Sequence, residues 1–114
     1  MREVGWYKNR GYTSVFLIFK MKKNFKIKAE MWRWPGDGGW YFVNIDKDLS
    51  DKIRKVYMKG FVKVEAKVGK SVWNTSLFPH KEPSFNYIMS IKKKVREKEN
   101  LFEGDMIQVN FKIL

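Results

Sequence analysis

Cysteine is missing from all 114 residues. Disulfides, a thiol nucleophile and a thiolate metal site are therefore excluded, and the redox compartment is left open. Histidine is nearly missing too, with His80 the single case. A Ser-His-Asp relay would have to run through it. It sits in Pro79-His80-Lys81-Glu82-Pro83-Ser84, whose prolines hold a chain off any strand ladder, so it reads as a wet loop histidine. A catalytic metal ordinarily takes several His or carboxylate ligands. Carboxylates are themselves scarce, 12 against 24 Lys plus Arg. Most fall at turns and helix ends, where Asp37 and Asp105 read as turn residues bonding their own backbone. No catalytic residue, metal ligand or cofactor is assigned, and the chain reads as a non-enzyme. Long apolar runs are absent as well. The longest, Val15-Phe16-Leu17-Ile18-Phe19, is five residues, where a membrane helix needs about 20. Lys20, Lys22 and Lys23 follow it, not the small-residue cleavage site of a signal peptide. The expected location is the cytoplasm, with no membrane partner.

What is present is charge of one sign and an excess of large rings. The net charge is +12. One reading is an anionic partner: nucleic acid, an acidic protein or a membrane surface. The other is a lysine-rich, solvated surface. Lysine outnumbers arginine 19 to 5, and arginine is the side chain suited to bidentate phosphate recognition. Hydrophobic residues make up 44% and aromatics 17%, enough for the core of one domain of this length.

The chain is organised around Trp34-Pro35-Gly36-Asp37-Gly38-Gly39-Trp40-Tyr41-Phe42-Val43. Proline fixes φ and glycine reaches positive φ, so the middle is a tight reversal. Upstream, 25–33 alternates apolar and charged residues, with Phe25, Ile27, Ala29 and Met31 facing inward, the period of a half-buried strand. Downstream, 40–45 is aromatic and β-branched, a second strand paired with the first as a hairpin. A phosphate cradle at the glycines, with Arg33 beside it, is the functional alternative. A P-loop would need a Lys-Ser/Thr and a helix next; here a strand follows.

Asp46-Lys47-Asp48-Leu49-Ser50-Asp51 opens a helix, its acids suited to the positive end of the dipole. Leu49, Ile53, Val56 and Tyr57 form its apolar stripe, and Gly60 is the expected C-cap. Strands are expected at 62–68, with Val62, Val64, Ala66 and Val68 inward, and at 72–78 after a Gly69-Lys70 turn. The second of these, with apolar residues on both faces, is expected to be covered on both sides. A strand at 85–91 follows. The helix at 92–100 is expected to be weak, since its lysines come early and its acids late, against the dipole; Val95 points inward. A final strand carries Ile107, Val109, Phe111 and Ile113.

Residues 1–23 stand apart. They hold Arg2, Lys8, Arg10, Lys20, Lys22 and Lys23 against Glu3. They are a basic N-terminal arm, with an added strand at 13–20, or a mis-assigned start with Met21 as the first residue. The single barrel domain is 24–114. With few helices to cover a parallel sheet, the fold class is mainly β with two short helices, in a small closed or partly open mixed barrel.

The block from Trp34 to Val43 resembles the defining block of a small prokaryotic β-barrel family, domain of unknown function nineteen-oh-five. The likeness continues through Leu49-Ser50-Asp51-Lys52-Ile53, Trp73-Asn74-Thr75-Ser76-Leu77-Phe78-Pro79, Ile91-Lys92-Lys93-Lys94-Val95-Arg96 and Glu103-Gly104-Asp105-Met106-Ile107-Gln108-Val109. It covers about 24–114. The resemblance implies a double-split barrel similar to that of transition-state regulators and antitoxins, and no established activity. The chain departs from the pattern at 61–65, where a Gly-Trp-Gly-like entry is expected.

Trp32, Trp34, Trp40 and Phe42 are more rings than the inside of a small barrel holds. Either some lie on the outer surface as an interaction site, or they fill a second small core against the helices. Arg96 is either an anion site or the partner of a buried acid, Asp105 or Glu103. Three functions follow. The first is a binding module presenting an aromatic and basic face to an anionic partner such as nucleic acid. The second is a partner-protein adaptor. The third is a small-molecule site in the barrel mouth lined by Trp34, Trp40, Trp73 and Arg96.

Overall fold

Strict alternation builds the longer strands. Two of them, β4 (Val62–Val68) and β7 (Met106–Ile113), bury every second residue. Their inner faces are Val62, Val64, Ala66 and Val68, and Ile107, Val109, Phe111 and Ile113, as expected. The computed structural model describes residues 24–57, 60–80 and 86–114. The expectations for 1–23 (the arm, the start at Met21, the strand at 13–20) lie outside the described residues, as does most of the proline-bounded loop.

The remaining strands are β1 (Asn24–Glu30), β2 (Trp32–Arg33), β3 (Tyr41–Asn44), β5 (Ser71–Pro79) and β6 (Tyr87–Ser90). Two helices, α1 (Lys47–Tyr57) and α2 (Lys93–Lys98), complete the described fold. All seven strands form one sheet in the order β1-β7-β4-β5-β6-β3-β2. The fold is mainly β, but every ladder is antiparallel, which corrects the expected mixed barrel. The helices explain why. Each joins two strands that are not neighbours, β3 to β4 and β6 to β7, so neither makes the crossover that a parallel pair requires.

β1 and β2 are the two ends of the sheet, yet only Met31 separates them in the chain. The sheet therefore curls until one run, 24–33, supplies both of its edges. Met31 is the joint. It is fully buried, donates its N–H to the Asp105 carbonyl at 2.8 Å and accepts from the Gly104 N–H at 2.8 Å. The hairpin expected between 25–33 and 40–45 thus forms only at its tip. Trp32 pairs with Phe42 and Arg33 with Tyr41, and the Trp34 N–H reaches the Trp40 carbonyl at 2.8 Å. The longer part of the run pairs with β7, Phe25 against Phe111, Ile27 against Val109 and Ala29 against Ile107. That register matches inward residue to inward residue, and the Phe25 and Phe111 rings lie 5.4 Å apart.

The helix α1 lies against the core through Ile53, which is fully buried, and through half-buried Leu49 and Tyr57. Burying an isoleucine completely contributes about 1.5–3 kcal/mol. Asp46 caps it: its Oδ1 accepts the Leu49 N–H at 2.8 Å. Ser50 does what the sequence did not suggest. Its buried hydroxyl donates to the Ile45 carbonyl at 3.1 Å and accepts the Tyr87 N–H at 3.0 Å, tying the helix to β6. The expected C-cap at Gly60 depends on residues 58–59, which lie outside the described residues.

The second helix is a single short segment with no side-chain N-cap, and Val95 points inward as expected. Its end is well made. Asn100 takes φ 55, its N–H reaches the Glu97 carbonyl, and the Leu101 N–H reaches back to the Arg96 carbonyl at 2.8 Å. That is a Schellman motif with asparagine in the glycine position. The strand expected to be covered on both faces is corrected. In β5, Val72 is 54% exposed and only Ser76 and Phe78 gain partial cover on that face. The doubly covered strand is β6, where Tyr87, Ile88 and Met89 are all buried.

Candidate binding site

The hairpin tip places the rings. Cross-strand pairing sets Trp32 opposite Phe42 on the outer face of β2 and β3, their centroids 5.4 Å apart. On the same face Ile88 stands opposite Phe78. Trp34 crosses Phe42 edge-on at 5.7 Å, and Trp40 stacks on it at 6.4 Å with 13° between planes. His80 packs against both Trp32 and Trp34, at 5.9 and 5.5 Å. The expected wet histidine is therefore a member of the cluster, half-buried between indoles. Phe61 meets Phe78 edge-on at 5.1 Å. Of the two fates open to the tryptophans, the second core against the helices is not the one seen. The rings pack on one another outside the sheet, with Trp34 42%, Trp40 58% and Phe61 62% exposed.

The glycines are needed to hold this arrangement. Gly36 and Gly39 take φ 114 and 68, where a side chain is strained. Gly38 matters for a different reason: a Cβ there would stand 2.6 Å from Trp40 Cδ1. The indole lies back over the loop because that position is bare. Arg33 pins the loop from the other side, its Nη2 donating to the Gly36 carbonyl at 3.1 Å.

Two grooves open on either side of Trp40. One, of about 480 Å³, is lined by Trp34, Trp40, Phe42, Phe61, Phe78 and His80 over a floor that includes Ile88. The other, of about 560 Å³, is lined by Arg33, Gly38, Trp40, Lys92, Lys93 and Arg96, among others. No acidic side chain lines it among the described residues. Arg96 reaches it from α2. Its Nε donates to the Ile91 carbonyl at 3.0 Å, and Nη2 lies 3.5 Å from the Gly39 carbonyl. The guanidinium sits 4.0 Å over the Tyr41 ring. The expected acid partner, Asp105 or Glu103, is not used. Asp105 instead accepts the Phe102 N–H at 2.8 Å, as a turn residue. Arg96 is thus held by backbone carbonyls and an aromatic face, none of which neutralises its charge.

The four residues singled out from the sequence divide. Trp34 and Trp40 stand together at the surface, and Arg96 stands beside Trp40 across the cationic groove. Trp73 is elsewhere: it is 4% exposed in the core opposite Ala66. Its indole N–H finds no partner among the described residues. Arg33 entered the sequence reading only beside the glycine loop, and Phe61, Phe78, Lys92 and Lys93 were not assigned to a site. The parity of Phe78, on the face opposite Trp73 and Leu77, was the available signal. Nothing local ties 92–93 to the hairpin.

Among the described residues, no three or more His, Asp or Glu side chains gather to hold a metal ion, and no helix is long and apolar enough to cross a membrane. A family model described as Domain of unknown function (DUF1905) matches residues 28–111. No curated protein matches the chain.

Proposed function

The chain belongs to the DUF1905 family, and from its surface geometry we propose that it is a non-enzymatic binding module whose partner is anionic, with nucleic acid the class that fits best. The observation that carries this reading is the groove where Arg33, Lys92, Lys93 and Arg96 converge without a lining acid. Two of the five arginines meet there, although lysine dominates the composition. Arginine held by neutral groups keeps its charge available for phosphate. The proposal includes a cytoplasmic location, where such a partner is at hand.

An electrophoretic shift titration across a salt series tests it. Affinity should fall with rising salt, since phosphate binding releases condensed counterions. No shift at low salt, or a shift indifferent to salt, contradicts the proposal. A partner-protein adaptor is the second reading, favoured by the exposed rings of Trp34, Trp40 and Phe61. It predicts a specific protein retained on the immobilised chain and lost on Trp40→Ala.

A further inference from the structure

We infer that the occupant is single-stranded nucleic acid: its phosphates lie in the cationic groove and its unstacked bases cross Trp40 into the aromatic groove. This rests on the binding reading above and narrows it. The reason is that Trp40 walls both grooves. One side is cationic and the other is almost wholly apolar, with His80 its one titratable side chain among the described residues. A ligand that fills both must carry negative charge and flat apolar surface next to each other. An unpaired nucleotide does. A duplex keeps its bases stacked inside and presents phosphate and sugar, which gives the aromatic groove nothing to take up.

The platform is also held ready. Trp40 is stacked on Phe42, and Trp34 is braced by Phe42 and His80. The bare Gly38 lets the Trp40 indole lie over the loop. Rings fixed by their neighbours lose little freedom when a base stacks on them. A groove across β1, β4 and β7 also joins lysines to rings, with Lys26, Lys67 and Lys112 beside Phe25 and Phe111. It differs in two ways: Glu65 lines it, and Phe111 is buried, leaving no exposed ring platform there.

The test uses the full chain and three labelled probes of about 12 nucleotides, a span such surfaces cover. They are an oligothymidylate, a base-free sugar-phosphate strand of equal length, and a duplex. Fluorescence anisotropy at one salt concentration gives the affinities. Oligothymidylate should bind at least about fivefold more tightly than the base-free strand, the loss expected for even one stacked base, and more tightly than the duplex. Trp40→Ala should weaken oligothymidylate by at least about fivefold more than it weakens the base-free strand. Trp40 is exposed, so its removal should spare the fold, and an unaltered thermal melt checks this. Arg33→Gln with Lys93→Gln should weaken all probes. Equal binding of thymidylate and base-free strand overturns stacking but leaves the anion reading intact. So does a Trp40→Ala effect that is equal on both. Duplex bound tightest overturns the single-strand inference, as does an added unlabelled polyglutamate competitor that displaces the thymidylate probe as well as unlabelled thymidylate does. No binding of any probe at low salt overturns both readings.

Discussion

Ser50 and Glu99 are the polar side chains whose removal should be felt most. Ser50→Ala removes two buried hydrogen bonds at the junction of α1 and β6, one to the Ile45 carbonyl and one from the Tyr87 N–H. Each such bond contributes about 0.5–1.5 kcal/mol, so the denaturant midpoint should fall with an unchanged m-value. Glu99 reads in the sequence as a misplaced acid, at the negative end of a helix. In the structure its carboxylate has left the helix. Oε2 accepts the Ser71 hydroxyl at 2.7 Å and lies 3.3 Å from the Lys70 N–H, closing the β4–β5 turn. A Cβ on Gly69, which takes φ 57, would overlap that carboxylate. Gly69→Ala should therefore destabilise by about 1 kcal/mol or more, through both the left-handed strain and the displaced clamp. Placed on a Glu99→Ala background, the same change should cost less, a coupling that a double-mutant cycle on denaturation curves measures. No sequence pattern exposes this clamp, because its partners lie 28 and 29 residues apart.

At the scale of elements, alternation made the long strands and their inner faces legible. The partner of each strand was less so. The run 24–33 has the same inward parity whether it meets β3 or β7. The tip glycines argue for its neighbour in the chain, but β3 is only four residues long and cannot cover a run of ten. β7, at eight residues, can take the greater part. The start of α1 was legible from Asp46. Within that helix, the hydrogen bond and charge of Lys47, joined by the pairing with Arg54, outweigh desolvation and hold the Asp51 carboxyl below its ordinary value of 3.8. A lowered folded-state value means a contribution that is present above 3.8 and lost as pH falls through the folded value. Asp51 is exposed, so salt screens the effect. A carboxyl-carbon NMR titration should show Asp51 titrating below 3.8 at low salt and moving toward it as salt rises.

Across the whole molecule, the net charge of +12 resolves into two parts. Lysines on the outer faces of β1, β4 and β7 are interleaved with acids and amides: Lys26, Lys67 and Lys112 share their groove with Glu65 and Asn110, and Lys28 stands near Glu30 on β1. The convergence is local, and it is built from arginine and lysine drawn from the hairpin edge and from α2. If the groove is the phosphate site, Arg33→Gln together with Lys93→Gln should lower the slope of log affinity against log salt by about 1 for each phosphate no longer neutralised. The equivalent charge removal from the interleaved set, Lys28→Gln with Lys67→Gln, should leave it nearly unchanged. The aromatic half of the site was legible as a surplus of rings near the hairpin. The cationic half was not, since it depends on the curl of the sheet carrying 92–96 back beside the glycine loop.

The most direct measurement is amide and indole NMR mapping of the labelled chain titrated with oligothymidylate. The account predicts shifts confined to the two grooves, at Arg33, the loop at 38–40, Phe61, Phe78, His80, Lys92, Lys93 and Arg96 and at the indole N–H groups of Trp34 and Trp40, with the buried Trp73 indole unmoved. Shifts spread instead over the lysines of β1, β4 and β7, or no shifts at low salt, would contradict it.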